Sequence, residues 1–229
     1  MNYSKYDLLE FFKKKFQPYK FRLIKKYTKN KPLNVLDVGC GFRSAQVARE
    51  WLNIKNYDGI DRIIYLDDQN SYSSLDNFYK LDLDTSDLSQ IKDNFYDLVI
   101  CSHVIEHLHN TPTLIPTLIQ KLKSSGLIYI ETPSKLTLNY PSAIGFLNFN
   151  DDPTHVKFYS DTEISSVLQC AGSSLKYSGY RRDWFRIILL SPIGVILNIL
   201  YYLPFKRKFS SYGLWDLLGV AWFWLAIKK

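Results

Sequence analysis

Short apolar runs alternate with helically spaced apolar positions from Leu33 onward, a pattern that predicts a parallel sheet built of βα units. Strands are expected near residues 33–38, 56–60, 77–81, 96–101 and 126–131, with helices near 43–52, 86–92, 111–123 and 161–171. Ser160-Asp161-Thr162-Glu163 has the form of a capping box, which fixes where the last of these helices starts. A sixth strand is expected over 174–181 and a seventh from Gly219 to Ile227. Residues 4–29 carry Leu8, Leu9, Phe12 and Phe16 with Lys13, Lys14 and Lys15 between them, then a break at Pro18 and a second basic piece to Lys29. This reads as amphipathic helix, either a cap packed on the sheet or a basic helix that faces a membrane or gates a substrate. The expected organisation is a basic helical cap over 1–31 and an α/β domain over 32–229.

One stretch breaks the alternation. From Ile187 to Leu203 there are 17 residues without a charge. A bilayer span needs about 20 apolar residues, and Pro192 and Gly194 interrupt this run. Arg181, Arg182 and Arg186 precede it and Lys206, Arg207 and Lys208 follow, whereas spans concentrate such charge on the cytoplasmic side. A span, a helical hairpin lying in the membrane interface, and a soluble lid or homodimer surface all stay open. Interfacial contact is preferred, so 184–214 is expected to be an apolar helical insertion with peripheral membrane contact.

Length and composition then narrow the class. At 229 residues, 46% hydrophobic and 22% charged, the chain suits one α/β domain with modest additions. The 29 basic and 22 acidic residues give +7, which suggests an anionic partner such as a membrane surface or an acidic substrate. No Arg-Gly tract, zinc-knuckle spacing or RNA-binding signature occurs, so nucleic acid is not expected. Cys40, Cys101 and Cys170 lack the spacing of a disulfide frame or structural zinc. Together with an N-terminus bearing Asp7 and Glu10 rather than a secretory signal, they point to the cytoplasm, with contact at the inner face of the membrane.

The chemistry concentrates in Asn34-Val35-Leu36-Asp37-Val38-Gly39-Cys40-Gly41-Phe42-Arg43, a strand that turns through two glycines. Asp61 follows Gly39 by 22 residues, where a doubly wound sheet puts the carboxylate that grips a ribose. A dinucleotide enzyme would want a third glycine where Ser44 stands, and it has no use for Asp37, which is suited to meet a cationic amino group. At these residues the chain resembles the class I S-adenosylmethionine-dependent methyltransferases. The likeness continues through Tyr57-Asp58-Gly59-Ile60-Asp61, Leu81-Asp82-Leu83-Asp84, the run from Tyr96 to Leu108, and Gly126 to Pro133. It covers roughly residues 30–180 and, weakly, the last ten.

The resemblance implies a Rossmann-like, doubly wound seven-stranded sheet with helices on both faces, the last strand antiparallel, and S-adenosyl-L-methionine as cofactor. It implies cofactor contacts at Asp37, Gly39, Cys40, Gly41, Asp61, Arg62, Asp82, Leu83, Ser102 and His103. Asp61 would accept the ribose hydroxyls, Asp82 and Leu83 would meet the adenine, and Ser102 and His103 would lie near the methyl group. Arg43 departs from the family's commoner glycine.

Two histidine motifs complete the candidates. His103-Val104-Ile105-Glu106-His107 matches the H-x-x-E-H zinc motif, but it follows directly on a buried strand, where a similar run recurs in these methyltransferases. No metal is expected, and Glu106 and His107 are read as braces. His155, in Asp152-Pro153-Thr154-His155, either takes a proton from a substrate hydroxyl or clamps its loop. His155 and His103 are therefore the catalytic candidates for in-line methyl transfer to a small-molecule, glycan or lipid-linked acceptor. The alternative is a non-catalytic S-adenosylmethionine-binding partner or regulator.

Overall fold

A computed structural model describes residues 17–41, 43–63, 74–202 and 209–229. The N-terminal apolar positions Leu8 to Phe16 and the basic cluster Lys206 to Lys208 lie outside them. Helix α1 (Tyr19–Thr28) leads into β1 (Leu33–Val38), α2 (Ser44–Trp51), β2 (Ile54–Asp61), β3 (Asn77–Lys80) and β4 (Tyr96–Ser102). Then come α3 (Thr111–Lys121), β5 (Leu122–Pro133), α4 (Asp161–Cys170), β6 (Ser173–Tyr180), α5 (Trp184–Leu197), α6 (Trp215–Leu218) and β7 (Ala221–Lys228). The seven strands form one sheet in the order β3-β2-β1-β4-β5-β7-β6. Neighbours from β3 to β5 are parallel, and β7 runs antiparallel to both β5 and β6. The Rossmann-like sheet implied by the sequence is present.

Each face of the sheet is covered because both faces are apolar, as parallel strands require. All six residues of β1 are buried. Phe21 and Ile24 of α1 and Ala45 and Ala48 of α2 pack with Val35, Tyr57 and Tyr129 on one side. Ile115 and Leu118 of α3 and Ile164 and Leu168 of α4 pack with Leu36, Val38 and Ile130 on the other.

The expected helix over 86–92 does not form. Its polar residues compete for the main chain: Asp87 accepts the Ser89 N–H (2.9 Å) and Ser86 accepts the Asp82 N–H (3.2 Å). Leu88 and Ile91 are still buried, so the apolar spacing that suggested a helix serves a turn instead. Strand β5 also starts at Leu122, four residues before the expected Gly126, and takes over the end of the helix predicted to 123. Helix α6 ends at Gly219, whose φ of 64° is the left-handed cap that delays β7 to Ala221.

The insertion is helical, and its polarity is reversed. Ile187, Ser191 and Gly194 of α5, with Asn198 of the π-helical turn Asn198–Tyr202, face the protein at spacings of four, three and four. Ser191 donates to the Gly213 carbonyl (3.2 Å), and the Asn198 amide bonds Gly194 O (2.8 Å) and both main-chain groups of Ser210 (2.9 and 2.8 Å). The apolar side chains Ile188, Ile193, Ile196, Ile199 and Leu200 are the ones left exposed. No described helix is long and apolar enough to cross a membrane.

Ser160 caps α4 as expected, with its oxygen accepting the Glu163 N–H (3.3 Å) and Glu163 accepting the Ser160 N–H (2.8 Å). Replacing Ser160 by alanine should lower stability by about 1 kcal/mol. Urea unfolding should register this as a lower midpoint with an unchanged slope.

Candidate active site

The carboxyl ends of β1, β2 and β4 carry the first cavity, about 270 Å³. Gly39 (φ 66°) and Gly41 (φ 52°) turn the chain away from β1, and the Gly39 and Cys40 N–H groups both reach the Ile60 carbonyl (2.8 and 3.0 Å). A Cβ on Gly39 would sit 2.3 Å from Val104, so this loop tolerates only glycine there. Asp61 fixes the loop from the next strand, accepting the Gly41 N–H at 2.8 Å. Its carboxylate lines the cavity with lone pairs to spare for hydroxyl donors.

Of the residues singled out in the sequence, Gly39, Gly41, Asp61, Arg62, Asp82, Leu83 and His103 line this cavity. Three others do not. Asp37 is buried and turned inward, accepting from Ser44 (2.5 Å) and Tyr57 (2.6 Å), and burial raises its carboxyl above the ordinary range. In this position it braces the loop from beneath. Cys40 packs its sulfur toward Gly59, and burial pushes the thiol far up, so it is a small hydrophobe. Ser102 borders a separate cavity of about 250 Å³ shared with Lys20, Arg181 and Asp216.

His103 stands where the cavities meet. Its φ of 57° is unusual for a non-glycine residue and swings the ring back over the end of β4. Nδ1 lies 3.1 Å from Glu106 and Nε2 3.1 Å from Glu131. Burial opposes the imidazolium, but the two carboxylates outweigh it and push the pKa up to about 9. With Nδ1 on Glu106 and Nε2 on Glu131, both ring nitrogens of this catalytic candidate are engaged by carboxylates, which leaves proton acceptance to another group.

Glu131 and Arg181 carry roles the sequence reading does not assign. Burial raises the Glu131 carboxyl, yet Arg181 at 2.7 Å, His103 and the Tyr129 hydroxyl together bring it far below its usual range. Arg181 in turn meets Asp216 at 3.2 Å. The available signal is an acid inside the apolar run of β5, which has to find a cation.

A third cavity, about 170 Å³, adjoins the first through His103 and His107. Pro133, Phe146, Phe149 and Trp215 give it aromatic and apolar walls, and His155 is one of its polar groups, beside Glu106, His107 and Asp152. The His155 Nδ1 lies 2.6 Å from the Phe149 carbonyl, which only accepts, so Nδ1 carries the proton and Nε2 is the basic nitrogen. The His107 Nδ1 is held likewise by the carbonyl and hydroxyl of Thr154 (3.2 and 2.9 Å), and the two rings sit 4.8 Å apart. Among the described residues, Glu106, His107 and His155 offer ligand atoms within 4.8 Å of one another, close enough for one cation. The H-x-x-E-H run is thus divided: His103 points to carboxylates and His107 to His155.

Residues 11–175 match the family model described as a methyltransferase domain. The chain belongs to this methyltransferase family. It is 29% identical over 167 residues, 66% of this chain and 70% of the relative, to the ubiquinone biosynthesis O-methyltransferase of Rickettsia canadensis. The corresponding protein of Hydrogenovibrio crunogenus is 25% identical, over 85% of this chain and 83% of the relative. A Mesorhizobium loti S-adenosylmethionine-dependent methyltransferase has the same fold (TM-score 0.59, 13% identity, 91% and 96% of the two chains). So does a Burkholderia thailandensis N1-methyltransferase solved with S-adenosylhomocysteine (TM-score 0.56, 12% identity, 99% and 84%). The methyltransferase uses S-adenosylmethionine and acts on a small molecule. The glycine turn, the Asp61 carboxylate and the adjoining cavity are compatible with that cofactor, and Asp82 and Leu83 line the same cavity.

Two outcomes follow from this geometry. Gly39→Ala should weaken S-adenosylhomocysteine binding about tenfold, through the displaced Val104 wall, as read by calorimetry. His103 is raised from 6.5 to about 9 in the folded protein, so its stabilisation is complete below pH 6.5 and fades as pH rises through about 9. Urea midpoints should fall over that window in the parent and stay flatter in His103→Gln; equal profiles would contradict the carboxylate clamp.

Proposed function

We propose that this methyltransferase transfers the methyl group to an oxygen of an amphiphilic acceptor, such as a lipid-linked glycan or a quinone precursor, at a membrane surface. The observation that carries the reading is His155, whose Nδ1–H is fixed on the Phe149 carbonyl so that Nε2 is a basic nitrogen in the cavity beside the glycine turn. Bound S-adenosylmethionine supplies an already activated methyl group. His155 takes the proton of the acceptor hydroxyl at Nε2, with Asp152 near that nitrogen at 4.0 Å. Phe146, Phe149, Pro133 and Trp215 hold the acceptor and keep water from it. His103 fixes the boundary between the two cavities. Relatives named as O-methyltransferases favour oxygen over nitrogen as the acceptor atom.

Membrane contact draws support from the reversed polarity of α5, since a helix that buries serine and asparagine and exposes isoleucine suits hydrocarbon on its outer face. The acceptor cavity is tied to the same unit. Ile144 pairs with Ser210, and the Trp215 Nε1–H donates to the Gly145 carbonyl at 3.0 Å, so the loop bearing Phe146 moves with the insertion. In this reading the enzyme works in the cytoplasm at the inner face of the membrane, in keeping with its three unpaired cysteines. A homodimer covering α5 is the competing arrangement and would give a dimer in sedimentation without vesicles.

His155→Gln should reduce kcat by roughly 100-fold or more and leave S-adenosylhomocysteine affinity unchanged. A near-parental kcat would remove the base. Dialysis against a chelator separates a second role for the same residues. Unchanged turnover keeps His155 as a proton acceptor, whereas loss restored by a divalent cation assigns Glu106, His107 and His155 to a metal.

A further inference from the structure

The largest of the cavities described lies away from both sites, at the β6 edge where α5 begins. It measures about 680 Å³ and is lined by Tyr19, Tyr177, Tyr180 and Trp184, with Arg22 and Arg182. Two guanidinium groups face one carboxylate here. Arg22 pairs with the buried Asp183 at 3.3 Å, while Arg182 has no carboxylate partner among the described residues and rests over the Tyr180 ring at 5.7 Å. One positive charge is therefore left over. Tyr177 is set flat against Phe223 (5.2 Å, 9°), which keeps its ring as a fixed wall.

Position gives this cavity its meaning. Trp184 is both a cavity wall and the first residue of α5, and it is 66% exposed. Beyond it run the outward apolar side chains Ile188, Ile193, Ile196 and Leu200. Tyrosine, tryptophan and arginine at the end of an apolar helix match the layered chemistry of a membrane interface, with rings at headgroup depth and guanidinium groups on phosphates.

We propose that this aromatic and arginine cavity binds the phosphate headgroup of an anionic phospholipid while α5 lies in the adjoining acyl layer. The proposal rests on the membrane reading above and adds a lipid preference to it. Arg182 is the phosphate ligand, in a bidentate geometry that lysine does not reproduce. Tyr177 and Trp184 flank the glycerol. Asp183 serves a separate purpose, holding Arg22 and accepting the Phe185 N–H that starts α5, so that the cavity and the helix are set in one orientation.

Vesicle flotation of the full chain, with phosphatidylcholine alone and with an equimolar mixture of phosphatidylcholine and phosphatidylglycerol, tests this. The parent should prefer the anionic vesicles, and Arg182→Ala should lose about fivefold on those vesicles only. Tyr177→Ala should reduce the same preference, and Arg182→Lys should restore it in part at most. Lys176→Ala, an exposed cation outside the cavity, should matter less than Arg182→Ala. Equal losses for the two would reduce the effect to diffuse charge and overturn the site. Ile188→Glu should weaken binding to both vesicle types by about tenfold. If Ile188→Glu changes neither, the membrane reading fails; if it lowers both while Arg182→Ala changes neither, only the headgroup site fails. Saturable binding of sn-glycerol 3-phosphate without vesicles, as tight as the vesicle interaction, would assign the cavity to a soluble phosphate and overturn the lipid.

Discussion

A single buried carboxylate organises the catalytic edge of this methyltransferase. Glu131 comes at the end of the apolar part of β5, where an unpaired charge would be prohibitive, and it draws three partners from three different places. Tyr129 reaches it from its own strand, His103 from the end of β4, and Arg181 from beyond the end of β6. Arg181 extends the network to Asp216 of α6. Such a network adds little net stability compared with an apolar core, but removing one member leaves an uncompensated charge at a cost of about 3–5 kcal/mol. Its value is positional. It holds His103, whose backbone is left-handed, at the boundary between the cavity of the glycine turn and the one lined by His155.

The fold was legible because its central strands, β1 and β4 above all, are buried on both faces and read as apolar runs. Leu33 to Val38 and Tyr96 to Ser102 lie within a residue of where the pattern put them. The failures have local causes. Between 86 and 92 the spacing of Leu88 and Ile91 fits a helix, but Ser86 and Asp87 bind the main chain more favourably than a helix would. Near Gly126 the apolar signal hides the strand's real start, because Lys123, Ser124 and Ser125 extend β5 with partly exposed polar residues.

Side-chain direction was less accessible. Gly39, Gly41 and Asp61 were legible since backbone freedom and a strand-end acid determine their place almost alone. The direction of Asp37 was not legible, because it depends on Tyr57 and Ser44, one from the neighbouring strand and one from the next helix. His103 and His155 look equivalent as sequence; they differ in what surrounds their ring nitrogens. Two carboxylates charge the first, and one carbonyl leaves the second with a basic nitrogen.

Strand order has a consequence for how the protein is made. β7 fills the gap between β5 and β6, yet it follows α5 in the chain. On the ribosome, the apolar helix α5 therefore emerges while two strand edges still wait for their shared neighbour. Sheet closure and the exposure of α5 fall in the same interval of synthesis, when unpaired β edges and bare isoleucines are most open to aggregation. A bilayer close to the exit tunnel would shelter the helix and leave the last strand free to complete the core.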